Sequence, residues 1–169
     1  PRREVIAADG ALVTPGSIDV HTHHDGQCLW EDKPDPRSSN GVTTAIAGNC
    51  GVGFAPVRKE TRQELIELME GVEDVPAIVV TEGMKWDWES FPDYLDRLGE
   101  RHYAIDVAAQ VPHSALRTYV MGERGAKHEP ATAEDIAEMA RLLTEALDAG
   151  AIGFSTGRIV EHLSSTGHK

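Results

Sequence analysis

The feature that most constrains the fold is an alternation of short apolar segments with helical segments, repeated four times along 169 residues. The apolar segments are rich in β-branched residues and are flanked by glycine or proline, which favours buried strands. Buried strands that alternate with helices are typical of a parallel sheet covered by helices. The predicted strands span residues 17–20, 42–48, 103–111 and 151–157.

The helical segments carry recognisable start and stop signals. The predicted helices begin at Thr61, Ser90, Ser114 and Thr132. Glu64 follows the first start at the spacing of a capping box, and Gly71 and Gly150 are predicted ends of the first and last helices. The short apolar run 75–81 has no helical start signal of this kind, and we expect it to be extended.

Four strand–helix units are half of an eight-stranded barrel, and a complete barrel needs about 250 residues. An open doubly wound sheet is the alternative, but no Gly-x-Gly-x-x-Gly motif opens a helix after the first strand. The predicted fold class is therefore α/β, with residues 16–169 forming the first four β/α units of a TIM-type (β/α)8 barrel, which is incomplete. Residues 1–15 precede it as two short strands around a turn at Asp9-Gly10.

The charge and composition exclude several kinds of partner. The formal net charge is −12, so neither nucleic acid nor an anionic membrane is expected to bind. No apolar run has the length of a transmembrane helix, and no segment reads as a signal peptide. The two cysteines are too few for a disulfide scaffold, which predicts a reducing, cytoplasmic setting.

Metal-binding residue types stand at the ends of the predicted strands. His21 and His23 share one face of the first strand, because successive side chains on a strand point to opposite faces. Cys50 follows the second strand among glycines, and His113 follows the third. Imidazole and thiolate groups that converge at one edge can bind a zinc-like ion. A solvent-exposed histidine pair and a buried structural cysteine are the alternatives that these residues leave open.

Three further residues are candidates for contact with substrate or with the ligands of a metal. Asp25 could orient a liganding histidine or a water molecule, or equally cap the turn that follows it. His113 could serve the site or simply begin a helix. Ser155, at the end of the fourth strand, is a candidate for facing substrate.

Four separated motifs together resemble the N-acyl-D-amino-acid deacylase (D-aminoacylase) branch of the amidohydrolase superfamily. They agree with that family in order and spacing and lie at 15–25 (PGSIDVHTHHD), 41–56 (GVTTAIAGNCGVGFAP), 109–121 and 146–157. The resemblance implies a zinc-dependent barrel, flanked by a small β domain, that hydrolyses the amide of a small-molecule N-acyl-D-amino acid. Residues 1–15 would then be strands of the flanking domain.

The resemblance also implies roles for individual residues. His21, His23 and Cys50 would be ligands of one or two Zn²⁺ ions, with Cys50 standing where other branches use a carboxylated lysine. Two further histidines and the proton-transferring aspartate of the family belong to later strands. No catalytic residue is therefore expected within this chain, which should be inactive without the remainder of the barrel.

Two other functions remain as alternatives. A cyclic amidohydrolase of the dihydroorotase or hydantoinase kind shares the His-x-His strand but usually employs a carboxylated lysine. A non-catalytic metal-binding fragment is the second. The sequence 158–169 departs from the continuation typical of the deacylases, which leaves the acyl and side-chain specificity open.

Overall fold

The computed structural model describes residues 5–73 and 75–157, in which parallel strands alternate with helices. The strands are β1 (Ser17–Asp19), β2 (Val42–Ala47), β3 (Asp106–Ala109), β4 (Val111–Pro112) and β5 (Phe154–Ser155). The helices are α1 (Arg62–Glu73), α2 (Ala77–Gly83), α3 (Phe91–Gly99), α4 (His113–Met121), α5 (Glu123–Ala126) and α6 (Ala133–Asp148). The α/β prediction with parallel strands is confirmed.

The strands are neighbours in the order in which they occur along the chain. β1, β2 and β3 form one parallel sheet, and β4 pairs in parallel with β5. Only Gln110 separates β3 from β4, and its backbone amide donates to the carbonyl of Ala47 on β2 at 3.0 Å. The stretch 106–112 therefore contacts β2 along its first part and β5 along its second.

Two helices begin where the sequence predicts them, and each begins with a complete capping box. The Ser90 side chain accepts from the amide of Asp93 at the start of α3, and Thr132 does the same for Asp135 at the start of α6. In both boxes the acidic side chain accepts in return from the backbone of the capping residue. Each box thus satisfies two amides that a helix N-terminus leaves without partners.

The expectation of an extended segment over 75–81 is wrong, because α2 occupies Ala77–Gly83. A short apolar run cannot be assigned to strand or helix by periodicity alone. Pro76 precedes the helix, and Val80 packs into the core while Ile78 and Val79 remain exposed. The segment thus presents Val80, rather than every second residue, to the core.

The first helix follows Thr61 as predicted, but its cap and its end differ from the prediction. Thr61 closes a short 3-10 turn, and its hydroxyl donates to the carbonyl of Arg58 at 3.2 Å instead of forming the predicted capping box with Glu64. The helix continues through Gly71 to Glu73. A glycine inside a helix costs only about 1 kcal/mol relative to alanine, so it need not end one.

The N-terminal segment forms the predicted turn but not the predicted strands. The amide of Ala11 donates to the carbonyl of Ala8 at 3.0 Å around the turn. The described residues 5–15 contain no strand, and the side chains of Val5 and Leu12 are exposed. An isolated two-stranded ribbon is marginally stable without a surface to pack on. The assignment of 1–15 to a flanking domain stays a prediction.

A cluster of buried aromatic residues joins the loops after β1 and β2 to α3. Trp88 donates from Nε1 to the carbonyl of Phe54 at 2.9 Å, and Tyr94 donates from its hydroxyl to the carbonyl of Asp25 at 2.9 Å. These side chains are almost completely buried. The core thus fixes both loops that carry the predicted ligands. Among the described residues, no helix combines the length and the apolar character needed to cross a bilayer.

Candidate metal centre

The end of β1 presents two histidines on one side of the chain. Thr22, which lies between them, is buried, and both its amide and its hydroxyl donate to the carbonyl of Ile46 on β2, at 3.1 and 2.8 Å. This double attachment orients the backbone so that His21 and His23 lie together, with ring centroids 5.6 Å apart. Because β1 ends at Asp19, the two histidines lie in the segment after the strand, and the bonds of Thr22 hold them on one side.

Cys50 lies in a tight turn whose backbone is unusual for a residue with a side chain. Its φ is 56°, in the left-handed region, inside the 3-10 turn Asn49–Gly51. Gly48, which precedes the turn, has φ 79°, and a Cβ placed on it would lie 2.1 Å from the carbonyl oxygen of Gln110. The turn packs so closely against the neighbouring strand that only glycine fits there.

Side chains from other strands hold this turn in place. The side-chain Nδ2 of Asn49 donates to the carbonyl of Ile46 at 2.7 Å, and Gln110 donates from its side chain to Oδ1 of Asn49 at 3.0 Å. Ser155 accepts from the amide of Gly51 at 3.0 Å and donates to the carbonyl of Gly48. A left-handed non-glycine residue persists only where its surroundings over-determine it, and these bonds do so.

The two loops bring three potential metal ligands together. His21 Nε2 lies 2.9 Å from Cys50 Sγ, and one ligand atom from each of His21, His23 and Cys50 lies within 4.8 Å of the others. Two imidazoles and a thiol are donors that zinc accepts. Burial and the charge of Glu73 raise the pKa of the Cys50 thiol, and a bound cation has the opposite effect on a coordinating thiol. The donor set therefore fits a zinc ion.

The remaining predicted site residues lie around this cluster. Ser155 bonds to the backbone of the cysteine turn. His113 is the first residue of α4, and its Nδ1 lies 3.1 Å from the hydroxyl of Thr156. Burial, and secondarily the charge of Arg117, lower the pKa of His113. The His113 ring makes an edge-to-face contact with the ring of Phe154, with the two centroids 5.7 Å apart.

Asp25 is buried beneath the two loops. Burial raises the pKa of its carboxyl group to about 7, although the backbone amide of Gly48 acts in the opposite direction. Its Oδ1 lies 2.7 Å from where a Cβ on Gly53 would be, so a glycine at 53 makes room for the carboxylate. Asp25 thus connects the histidine loop to the cysteine loop from inside the protein.

A cavity of about 410 Å³ opens beside His23. Its wall combines apolar and polar residues, namely Gly26, Trp30, Phe54, Met69, Val75, Val79 and Val80 together with His23, His24, Gln27, Arg37 and Glu73. His24 is buried, and burial, followed by the charge of Arg37, lowers the pKa of its imidazole. A cavity lined by apolar side chains together with polar groups can accept a small ligand.

Glu73 is a site residue that the sequence analysis missed. Its Oε1 lies 3.2 Å from His23 Nε2, and the His23 side chain is only 8% exposed. An acidic run on a helix usually indicates a solvated face, and the predicted helix ends at Gly71, before this residue. The signal that could have identified Glu73 is its position at the end of an acidic helix that follows the cysteine loop.

Comparisons with known proteins find relatives along almost the whole chain. A family model described as "Amidohydrolase family" matches residues 4–167. The D-aminoacylase of Alcaligenes xylosoxydans xylosoxydans is 38% identical over 152 residues, which are 90% of this chain and 28% of that protein. The chain thus spans less than a third of the length of this relative.

Solved structures of the same kind resemble the fold. A D-aminoacylase structure described as having a binuclear metal centre matches with a TM-score of 0.66 and 34% identity, over 92% of this chain and 29% of that one. The N-acyl-D-glutamate deacylase of Bordetella bronchiseptica, complexed with zinc and a phosphonate inhibitor, matches with a TM-score of 0.59 and 34% identity. That match covers 85% of this chain and 27% of the other.

Proposed function

This chain belongs to the amidohydrolase family, and from that premise we propose that it is the metal-binding part of an enzyme that hydrolyses the linear amide of N-acyl-D-amino acids. The observation that carries the proposal is the convergence of His21, His23 and Cys50 within 4.8 Å. The similarity to D-aminoacylase over 90% of the chain supports the choice of substrate class.

We propose that these three side chains hold zinc, as one ion or as part of a two-ion site. A bound zinc ion would supply Lewis-acid chemistry, which polarises the carbonyl group of an amide and so favours hydrolysis of the amide bond. The protein's own contribution is to fix the donors: Thr22 sets the direction of the histidines, and Ser155 holds the cysteine turn. A rigid surrounding of this kind maintains the ligand geometry that metal affinity requires.

The lysines favour a cysteine-containing site over the carboxylated-lysine site of the cyclic amidohydrolases. Within the described part of the chain every lysine is exposed, namely Lys33, Lys59, Lys85 and Lys127. A carboxylated lysine would have to lie among the histidines, where Cys50 is found instead.

We propose that the parallel sheet is the first half of a (β/α)8 barrel. Large apolar side chains are exposed at both outer strands: Ile18 in β1 and Val20 just after it, and Phe154 in β5 and Ile152 just before it. Exposed apolar edges of this kind are covered in complete parallel sheets. Further strands packed on both edges would bury these residues.

The remaining parts of the reaction fall to groups outside this chain. Among its residues, Asp25 and His113 are proposed to support the loops around the substrate, and no residue of the chain is proposed to transfer the proton. Hydrolysis therefore requires the remainder of the barrel. The 169-residue chain should release no free D-amino acid from an N-acetyl-D-amino acid, and turnover by it would overturn this division of roles.

Zinc binding by the purified chain tests the metal site directly. Cys50→Ala should remove tight zinc binding, measured by competition with a chromogenic chelator, because one of three ligands is lost. Cys28→Ala is the matched control, since Cys28 is a free thiol buried in the core, and it should retain the zinc affinity. Equal zinc affinity in the Cys50→Ala variant and the unmodified chain would refute the proposed site.

A further inference from the structure

We infer that the cavity beside His23 receives the acyl group of the substrate, and that it favours a chain of several carbons bearing a hydroxyl group over the acetyl group. The inference rests on the proposed function and deepens it by naming the class of acyl group. It is carried by a group of apolar side chains next to a proposed metal ligand, with one buried imidazole nitrogen that lacks a partner among the lining residues.

The cavity adjoins the proposed metal site. His23 is one of the three proposed ligands and also lines the cavity, and its side chain is only 8% exposed. In the proposed reaction the substrate carbonyl lies at the metal, so the acyl chain attached to it must extend into space next to the ligands. The cavity of about 410 Å³ lies within the size range of small-molecule sites. It is therefore large enough for an acyl chain longer than acetyl.

The apolar part of the lining is held in place by packing. Trp30 lies against two glycines: a Cβ on Gly26 would be 3.1 Å from its Cζ3 atom, and a Cβ on Gly83 would be 2.7 Å from its Cε3 atom. Phe54 and Val80, which also line the cavity, belong to the buried core. A preformed apolar surface binds an apolar chain without reorganising, and each methylene group removed from water adds to the affinity.

One polar lining residue has a ring nitrogen without a partner. His24 is 9% exposed, and its Nε2 atom makes no hydrogen bond to any residue that the structure describes. A buried polar atom without a partner is unfavourable, so a ligand that bonds to it gains affinity. A hydroxyl group both donates and accepts, and it can therefore bond to this nitrogen in either tautomer of the neutral imidazole.

The charged lining residues favour a neutral polar group over a carboxylate on the acyl chain. Nε of Arg37 lies 2.6 Å from Oδ2 of Asp19, so the positive charge of Arg37 is already compensated. Glu73 adds a carboxylate to the same lining. A second carboxylate, on the ligand, would be repelled by Glu73 and would compete with Asp19, whereas a hydroxyl group meets neither difficulty.

Binding of N-acyl-D-leucines to the purified, zinc-loaded chain tests the inference. In isothermal titration calorimetry the affinity should rise from the acetyl through the butanoyl to the hexanoyl compound, by about fourfold for each methylene group that enters the cavity. Equal affinities for the three compounds would overturn the inference.

Two neighbouring residues of α2 provide a matched pair of variants. Val79 lines the cavity and is 45% exposed, whereas Ile78 is 63% exposed and is not among the lining residues. Val79→Trp should fill part of the cavity and weaken binding of N-hexanoyl-D-leucine about tenfold or more, while Ile78→Trp should change it less than twofold. The circular dichroism spectrum and the urea midpoint show whether each variant is folded. Equal effects of the two substitutions in folded variants would place the acyl chain elsewhere and refute the subsite.

His24→Phe tests the polar contact, because it keeps a ring and removes the nitrogen. The probes are N-hexanoyl-D-leucine and a set of N-hydroxyhexanoyl-D-leucines with the hydroxyl group at different carbons. For at least one hydroxylated compound, the substitution should weaken binding about fivefold more than it does for the hexanoyl compound. The same effect on every compound would refute the preference for a hydroxyl group.

Failure of the proposed function would look different. If the unmodified chain binds no zinc, or if His21→Ala leaves zinc binding unchanged, the metal site itself is refuted and the acyl subsite with it. If zinc binding depends on His21 while the length of the acyl chain has no effect on affinity, only the inference about the cavity fails.

Discussion

Substitution of Gly48 by alanine tests how closely the cysteine turn depends on the strand beside it. Gly48 follows β2, has φ 79°, and lies two residues before Cys50. A Cβ at this position would stand 2.1 Å from the carbonyl oxygen of Gln110, a backbone atom that cannot rotate away. The loop or the neighbouring strand must therefore move by about 1 Å to restore an ordinary contact.

Two separate costs add up in this variant. A left-handed backbone costs an alanine about 1–2 kcal/mol, and forced overpacking in a closely packed region costs about 1–3 kcal/mol. Gly41→Ala at the other end of β2 is the matched control. Gly41 has φ 85°, but a Cβ there meets nothing within 4 Å. The Gly41→Ala variant is therefore destabilised only by the left-handed backbone conformation and not by overpacking.

Urea unfolding of both variants measures the difference. We expect Gly41→Ala to lose about 1–2 kcal/mol and Gly48→Ala to lose about 1–3 kcal/mol more. Gly48→Ala should also weaken zinc binding, because movement of the turn separates Cys50 from His21. Equal free energies of unfolding for the two variants would show that the contact with Gln110 is not what requires glycine at position 48.

Two further predictions concern α3. Tyr94→Phe should lower the free energy of unfolding by about 1–3 kcal/mol in a urea titration, because the buried carbonyl of Asp25 loses its hydrogen bond; an unchanged midpoint would contradict this. Hydrogen bonds from Ser90 lower the pKa of Asp93, so its stabilising contribution is present above the unfolded-state pKa and is lost as the pH falls through the folded-state pKa. Asp93→Asn should therefore reduce the acid dependence of stability, and an unaltered pH profile would count against the capping box as its source.

The elements that the sequence predicts well are those fixed by local chemistry. Ser90 and Thr132 mark helix starts because a side-chain oxygen can satisfy an amide three residues ahead, whatever the rest of the fold does. The strand at 42–48 is recognisable because a continuous apolar, β-branched run suits a strand buried on both faces. These signals are sufficient for the order of strands and helices.

The elements that the sequence misassigns are those decided by tertiary contacts. Residues 77–83 form a helix that packs Val80 into the core, which the sequence of a seven-residue apolar run cannot show. Ile136 is apolar and lies at helical spacing from Met139 and Leu143 in α6, a pattern typical of a buried face, but it is 57% exposed. The contact of Glu73 with His23 joins residues 50 positions apart, and no local pattern specifies it.

The candidate site combines both kinds of information. The His-x-His pair is recognisable in the sequence as two alternate residues, and Thr22 between them bonds across to β2. The position of Cys50, in contrast, depends on residues from later in the chain: Gln110 after β3 supports the turn, and Ser155 on β5 bonds to it. A metal site of this kind can form only when the sheet has assembled, so we expect zinc binding and folding of the parallel sheet to be thermodynamically coupled.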